Sequence, residues 1–195
     1  MPHVEVFLFL RMVSKMKQTK IEIVHYAQSV LDPNILIAYT ANGGRLELHW
    51  CDVPTDRCLT KGKLYLTSSG LFFSLTKRFG LRQISVDFAL CHRTPGMHCH
   101  NGVRGCDYPQ MRSYGNKYCH VLMCTVFYGQ RPVVDGVTYQ CDHLNGDVMD
   151  WSKDNLEWVS PKENARRAWI LRRMRRAGID PRSMSRKELQ EAFSV

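Results

Sequence analysis

The chain has 195 residues, of which 44% are hydrophobic and 23% are charged, a composition typical of a folded globular protein rather than a disordered one. This length allows one domain or two small ones. Lysine and arginine number 27 against 18 aspartates and glutamates, which gives a net charge of +9 and favours an anionic partner. The eight cysteines accompany no convincing secretory signal, so reduced thiols are expected rather than a disulfide framework.

The amino-terminal run Val4–Leu10 is apolar, but it is too short to span a bilayer, and Glu5 interrupts it. It is typical of a strand or of a marginal signal-like start. We therefore expect a cytoplasmic protein without a membrane partner.

The middle of the chain contains short runs rich in β-prone residues, separated by polar turns: Leu46–Trp50, Lys63–Thr67 and Leu71–Leu75. They predict a small β-rich module over residues 46–117. The pattern does not predict a fold for the preceding residues 1–45.

A turn-rich segment within this module concentrates possible zinc ligands, namely Cys91, Cys99, His100 and Cys106. Thiolate and imidazole groups are the ligands of structural zinc sites. Their spacing matches no paired Cys-x-x-Cys pattern, so uncoordinated thiols remain the favoured interpretation.

Farther along, the β-branched and aromatic run Val137–Cys141 predicts a strand that ends at Asp142 and His143. A polar stretch follows and is typical of a loop. Leu156–Val159 then alternates apolar and polar residues, which predicts a second strand.

The next helix is predicted over residues 161–177. Ser160 is the expected N-cap, a proline occupies the first helical position, and Glu163 completes a capping box. Gly178 is a natural stop. Asn164 therefore falls in the first helical turn, where it could lie close to Asp142 and His143.

This order of residues resembles the HNH endonucleases encoded by phages and within group I introns. The pair Asp142-His143, then Asn155, then Asn164 occur at the spacing of that family. The peptide NLEWVSPKEN, which runs from Asn155 to Asn164, is close to the intron-encoded branch. Close similarity covers about residues 118–166.

Weaker similarity extends upstream. The segment Tyr65–Ser74 resembles the small β-rich module that often precedes the nuclease motif. His120 lies in a segment similar to one found shortly before the Asp-His pair of the family. That family prefers a basic residue after this histidine, whereas this chain has Val121, so no direct role is assigned to His120.

The resemblance implies a ββα-metal fold with definite residue roles. Asp142 and Asn164 would supply oxygen ligands to Mg²⁺ or Mn²⁺, since hard cations prefer oxygen. His143, with an ordinary pKa near 6.5, would accept a proton from water. Asn155 would fix the loop or hold His143 in its productive tautomer. The plainer interpretation of each residue is a surface turn or a polar first-turn side chain.

The predicted helix is rich in arginine. Its apolar side is expected to contain Ala165, Ala168, Trp169 and either Leu171 or Met174. Because arginine pairs bidentately with phosphate, six arginines are candidates for DNA-backbone contact, with a solvated basic face as the alternative: Arg166, Arg167, Arg172, Arg173, Arg175 and Arg176.

A second capping box, Ser185 with Glu188, predicts a short terminal helix within residues 178–195. The whole is expected to be an α+β protein with the nuclease motif over residues 118–177. It would be a metal-dependent HNH endonuclease that hydrolyses double-stranded DNA. The alternatives are a DNA-binding protein with a degenerate nuclease centre and an RNA-processing nuclease.

Overall fold

A computed structural model describes residues 20–52, 62–86, 108–111, 114 and 117–194. The run Val4–Leu10 and the candidate zinc residues Cys91, Cys99, His100 and Cys106 lie outside these described residues. Within them, no helix is long and apolar enough to cross a membrane.

The amino-terminal part is a six-stranded antiparallel sheet in which each strand pairs with its neighbours in sequence. The three β-prone runs predicted as strands are confirmed as β3 to β5. Two further strands precede residue 46 and belong to the same sheet. The strands are β1 (Ile23–Gln28), β2 (Ile35–Thr40), β3 (Arg45–Cys51), β4 (Lys63–Leu66), β5 (Phe72–Thr76) and β6 (Gly80–Ile84).

Both faces of this sheet bury apolar side chains. Successive residues of a strand point to opposite faces, so neighbouring apolar residues pack into different clusters. Leu64 and Leu66 pack into one cluster with Met123 and Leu156 from the carboxyl-terminal half. Tyr65, between the two leucines, belongs to a separate cluster on the other face. The second cluster consists of Leu36, Ala38, Leu48, Tyr65, Phe73 and Leu81.

The described residues of the carboxyl-terminal half form three helices and several short strands, so the mixed α and β composition is confirmed. The strands are β7 (Gln110–Met111), β8 (Lys117–Tyr118), β9 (Val133–Val134), β10 (Val137–Thr138), β11 (Gln140–His143) and β12 (Leu156–Val159). The helices are α1 (Cys119–Tyr128), α2 (Pro161–Arg176) and α3 (Arg186–Phe193), with 3-10 turns at Lys153–Asn155 and Pro181–Ser183.

A strand, loop, strand and helix follow one another in β11, β12 and α2. The two strands are antiparallel, with Asp142 opposite Glu157 and His143 opposite Leu156. The single strand predicted over residues 137–141 is instead divided into β10 and β11, and β11 continues to His143. This extension places the Asp-His pair at the end of a hydrogen-bonded strand.

The ends of α2 and α3 follow local sequence signals. Ser160 Oγ accepts a hydrogen bond from the Glu163 amide at 3.2 Å, whereas the Glu163 carboxylate accepts from arginines of the next turn. Gly178 follows α2 with a φ of +79°, a left-handed conformation that suits glycine. The second capping box, Ser185 with Glu188, is confirmed in both directions.

The predicted apolar side of α2 is wrong in part. Leu171 is buried at 4% exposure, but Ala165 and Ala168 are exposed and Trp169 is 50% exposed. The inward face instead carries Arg167 and Leu171, one helical turn apart. Leu171 packs in a small cluster with Leu144, Leu189 and Phe193.

The turn between β4 and β5 docks onto the loop that joins β11 to β12. Trp151 Nε1 donates to the Gly70 carbonyl at 2.8 Å, and the Lys153 amide donates to the Ser68 carbonyl at 2.9 Å. Gly70 has a φ of +87°, and a Cβ at this position would lie 2.7 Å from the Trp151 indole. Only glycine therefore allows this close approach.

We expect Gly70→Ala to destabilise the protein more than Gly43→Ala, its matched control. Gly43 has a similar φ of +83° but nothing within 4 Å of the added Cβ. Both variants bear the cost of a left-handed alanine, about 1–2 kcal/mol. Gly70→Ala should lose about 1–3 kcal/mol more from the overlap with Trp151. Urea unfolding measures the difference, and equal losses would show that the docking contact contributes nothing.

Candidate functional site

One face of β11 is turned toward α2. Asn164 Nδ2, in the first turn of α2, donates to Gln140 Oε1 at 2.7 Å. Two residues along the strand, Asp142 Oδ2 lies 3.6 Å from Arg167 Nη1. Asp142 and Asn164 therefore lie in the same layer, between β11 and α2.

The next side chain, His143, lies on the opposite face, toward α1. Its ring centroid is 5.0 Å from that of His120, in the first turn of α1, and 6.1 Å from that of Tyr108. β11 ends at His143. Asp142 and His143 therefore lie on opposite faces of the strand, but both are at the end where the loop begins.

The Asp142 side chain is mostly buried, with an exposure of 11%, and its Oδ2 atom is inaccessible to solvent. Burial raises its pKa to about 6, against the opposing effect of the Arg167 guanidinium. Its Oδ2 has no hydrogen-bond partner among the residues that the structure describes, since the Arg167 contact is too long for one. A buried carboxylate oxygen without a partner is costly in the absence of a ligand.

Arg167 holds three carboxylates together. Its Nη1 lies 2.8 Å from Glu157 Oε2, and its Nε lies 2.8 Å from Glu163 Oε1. Asp142 is the third, at the longer distance given above. Arg167 is thus part of an internal ion-pair network that attaches α2 to β11 and β12, with a side-chain exposure of only 11%.

The imidazole of His143 is buried, with 5% of the residue exposed. Burial lowers its pKa to about 4, although Asp150 and Asp147 act in the opposite direction. The ring is therefore neutral at neutral pH, and its Nε2 has no hydrogen-bond partner within the described part of the chain. A neutral ring nitrogen is a competent proton acceptor.

His120 is a neighbour of the site to which sequence reasoning assigned no role. Burial, and then the nearby His143, lower the pKa of His120 to about 3. Its Nδ1, like the Nε2 of His143, is buried without a hydrogen-bond partner in the described ranges. The sequence did contain a signal for His120, because the segment around it is similar to one in the family. Val121 weakened that similarity.

Asn155 organises the loop between β11 and β12. Its Oδ1 accepts from the Asn145 amide at 3.0 Å, and its Nδ2 donates to Asn145 Oδ1 at 2.9 Å and to the Asp150 carbonyl at 2.7 Å. These hydrogen bonds span the loop. They favour the first predicted role for Asn155, in loop geometry, over a role at the His143 ring.

The six candidate arginines divide into two groups. Arg166 pairs with Glu163 at 2.9 Å, Arg167 belongs to the internal network, and Arg175 Nη2 donates to the Asn145 carbonyl at 3.2 Å. The others are exposed, and the described part of the chain gives them no ion-pair partner; they are Arg172, Arg173 and Arg176. The Arg173 guanidinium also lies 4.7 Å above the ring of the exposed Trp169.

The oxygen atoms between β11 and α2 are of the type that a hard divalent cation prefers. Asp142 offers Oδ2, which has no hydrogen-bond partner in the described ranges, and the Asn164 amide nitrogen donates to Gln140, which leaves the Asn164 amide oxygen available as a ligand atom. No group of three histidine, cysteine, aspartate or glutamate side chains in the described ranges is arranged to hold a metal. An Mg²⁺ site needs few protein ligands, because this ion keeps several waters and substrate oxygens.

The comparisons with known proteins identify the segment that contains this site. Residues 117–166 match the HNH endonuclease family. The matched HNH segment runs from β8 to the first turns of α2, and so contains Asp142, His143, Asn155 and Asn164. Neither a curated protein nor a solved structure matches the chain. This segment is thus similar to a family of endonucleases, enzymes that hydrolyse nucleic acid.

We expect Arg167→Gln to raise the pKa of Asp142 above its value of about 6, because the variant removes the positive charge that favours the ionised carboxylate. The free energy of unfolding should fall by roughly 2 kcal/mol, less than for a fully buried pair, since Glu157 and Glu163 are 32% and 30% exposed. Carboxyl NMR titration and urea unfolding measure the two effects.

The matched control is Arg172→Gln, the same change on the exposed face of the same helix. It should leave the Asp142 pKa unchanged and alter stability by less than about 0.5 kcal/mol. If both variants behave alike, Arg167 does not attach α2 to the strands in the way that its ion pairs indicate.

Proposed function

We propose that this protein is a metal-dependent HNH endonuclease that hydrolyses phosphodiester bonds of double-stranded DNA. One observation supports this most directly: the end of β11 carries two buried polar atoms, Asp142 Oδ2 and His143 Nε2, that have no hydrogen-bond partner among the described residues, and both lie inside the HNH segment. Buried polar atoms without partners are rare in folded proteins and call for an explanation. A bound cation would give the carboxylate oxygen a partner, and a proton taken from water would give the imidazole nitrogen one.

His143 is the proposed general base. Its lowered pKa, about 4, keeps the ring neutral at neutral pH. The unpartnered Nε2 is then the atom that accepts a proton from the attacking water. His120, packed at 5.0 Å between ring centroids, limits the orientations that the ring can adopt. His120 is thus proposed as a positioning residue.

Asp142 and Asn164 are the proposed metal ligands, through one carboxylate oxygen and one amide oxygen. A bound Mg²⁺ or Mn²⁺ supplies positive charge that offsets the charge developing on the phosphate and the leaving oxygen. Gln140 orients the Asn164 amide by accepting from its nitrogen. Asn155 holds the loop that closes this end of the strand.

The proposed DNA-binding surface is the exposed side of α2, which consists of Arg172, Arg173 and Arg176. These guanidinium groups have no ion-pair partner among the described residues and can pair with backbone phosphates. Arg166, Arg167 and Arg175 instead bind partners within the protein. The proposal thus assigns the first three to DNA and the second three to the fold.

Two alternatives use the same scaffold. A DNA-binding protein with a degenerate nuclease centre would retain the basic face, but it would not need Asp142, His143 and Asn164 together. An RNA-processing nuclease would use the same residues and the same chemistry to hydrolyse the phosphodiester backbone of RNA. The proposal that the protein is encoded by a phage or mobile element rests on the resemblance of its sequence to the HNH endonucleases of phages and group I introns.

The function is tested with purified protein, supercoiled plasmid and Mg²⁺. We expect nicked or linear DNA, no product when a chelator is present, and a rate roughly 10² to 10⁴ lower for His143→Ala, the usual range for loss of a general base. Gel electrophoresis separates the products, and duplex RNA of matched length tests the RNA alternative.

DNA affinity is measured in parallel by fluorescence anisotropy, and circular dichroism verifies the fold. His143→Ala should bind DNA nearly as well as the unchanged protein, since the basic face is intact. Undiminished cleavage by a folded His143→Ala protein would contradict the assignment of the base. DNA binding without any cleavage by the unchanged protein would favour the degenerate-centre alternative.

Replacing Arg172, Arg173 and Arg176 together by glutamine should weaken DNA binding without unfolding the protein. Each phosphate that the protein no longer neutralises should make the slope of log K against log salt shallower by about 0.9. We therefore expect the slope to fall by as much as about 2.7 in magnitude. Anisotropy titrations at several salt concentrations give the slope.

A matched control replaces three exposed cationic residues by glutamine and so removes the same number of charges: Lys77 and Arg78, in the turn between β5 and β6, and Arg82, in β6. This variant should keep most of the slope of the unchanged protein. If the control alters the slope and the α2 variant does not, the DNA-binding surface lies on the amino-terminal sheet.

A further inference from the structure

Two cysteines from different elements meet behind the proposed site. Cys124 lies in α1 and Cys141 lies in β11, and their Sγ atoms are 2.7 Å apart. Cys124 is fully buried, whereas Cys141 is partly exposed. Cys141 Sγ also donates to the His120 carbonyl at 3.4 Å. The two thiols are therefore in direct contact, with no atom between them.

We propose that Cys124 and Cys141 form a redox modification site, at which a small-molecule disulfide such as oxidised glutathione converts the two thiols into an intramolecular disulfide. Disulfide formation requires that two cysteines approach without backbone movement. The packing of α1 against β11 and β12 in one apolar cluster already provides this approach. The proposal rests on this geometry and not on the nuclease function.

The reaction is a pair of thiol–disulfide exchanges. Cys141, the less buried of the two residues, attacks the small-molecule disulfide, forms a mixed disulfide and releases one small-molecule thiol. Cys124 then attacks the Cys141 sulfur, and the second small-molecule thiol leaves. Two protein thiols are oxidised, one disulfide reagent is reduced to two thiols, and the two protein protons end on the leaving thiols.

The new bond would tie α1 to the strand that carries Asp142 and His143, directly before this pair. It would also remove the thiol hydrogen that Cys141 donates to the His120 carbonyl. The cysteines are 17 residues apart in sequence, so the bond closes a loop and restricts the unfolded chain. We expect the oxidised protein to unfold at a higher urea concentration than the reduced protein.

The test incubates the full chain with oxidised glutathione, blocks the remaining thiols with an alkylating reagent and maps the peptides by mass spectrometry. Cleavage after Phe127 and Tyr128 separates the two cysteines, so their peptides remain joined only through the disulfide. The expected result is a joined Cys124–Cys141 pair that a reducing agent separates, together with a higher urea midpoint. Alkylation of both cysteines after incubation would overturn the proposal.

Matched serine variants locate the bond. Cys124→Ser should abolish both the joined peptide and the urea shift, whereas Cys51→Ser, at a buried cysteine of β3, should retain both. Peptide mapping of the unchanged protein gives a result even if a variant fails to fold. A joined peptide that persists in Cys124→Ser, and therefore links Cys141 to another cysteine, would also contradict the proposal. Because no readout uses DNA cleavage, failure here is distinct from failure of the proposed function.

Discussion

The alternation of side chains along β11 is the constraint on which the site depends. A strand directs neighbouring residues to opposite faces, so Gln140 and Asp142 meet α2 while Cys141 and His143 meet α1. The proposed metal ligands and the proposed base are thereby kept in separate layers. They meet at the end of β11, where the strand gives way to the loop. A shift of one residue in the pairing with β12 would exchange the two sets.

The helix that carries Asn164 is attached both by ion pairs and by apolar packing. Arg167 joins α2 to Glu157 on β12, to Asp142 on β11 and to Glu163 in its own first turn. Leu171 adds apolar packing farther along. Because a charged side chain occupies the centre of this interface, the position of α2 and the ionisation of Asp142 depend on each other. The same arginine that places Asn164 also favours the carboxylate form that a cation requires.

The amino-terminal sheet supports the loop of the site rather than contributing a proposed ligand. The turn at Gly70 receives the Trp151 indole, and Asn155 closes the opposite side of the loop. The loop is thus held by the sheet at one point and by its own amide network at another. Such support favours a fixed geometry at the end of β11, as active-site chemistry requires.

The sequence by itself determined the local features of this protein. The strand that ends at Asp142 and His143, the N-cap at Ser160 and the stop at Gly178 each depend on residues close together in the chain. The spacing of four polar residues was also sufficient to indicate the HNH segment, which the family match then confirmed. Strands β3 to β5 were predictable because short β-prone runs and polar turns carry their own signal.

Only the tertiary structure decided which faces meet. The apolar residues of α2 predicted that Trp169 packs inward, but the carboxylates of β11 and β12 attract Arg167 to that position and leave Trp169 half exposed. The position of His120 beside His143 and the approach of Cys124 to Cys141 likewise arise from the packing of α1 on β11. Helical periodicity gives the relative angles of side chains on one helix, but not the partner that each face will meet. That choice depends on residues distant in sequence, which is why composition and spacing could not predict it.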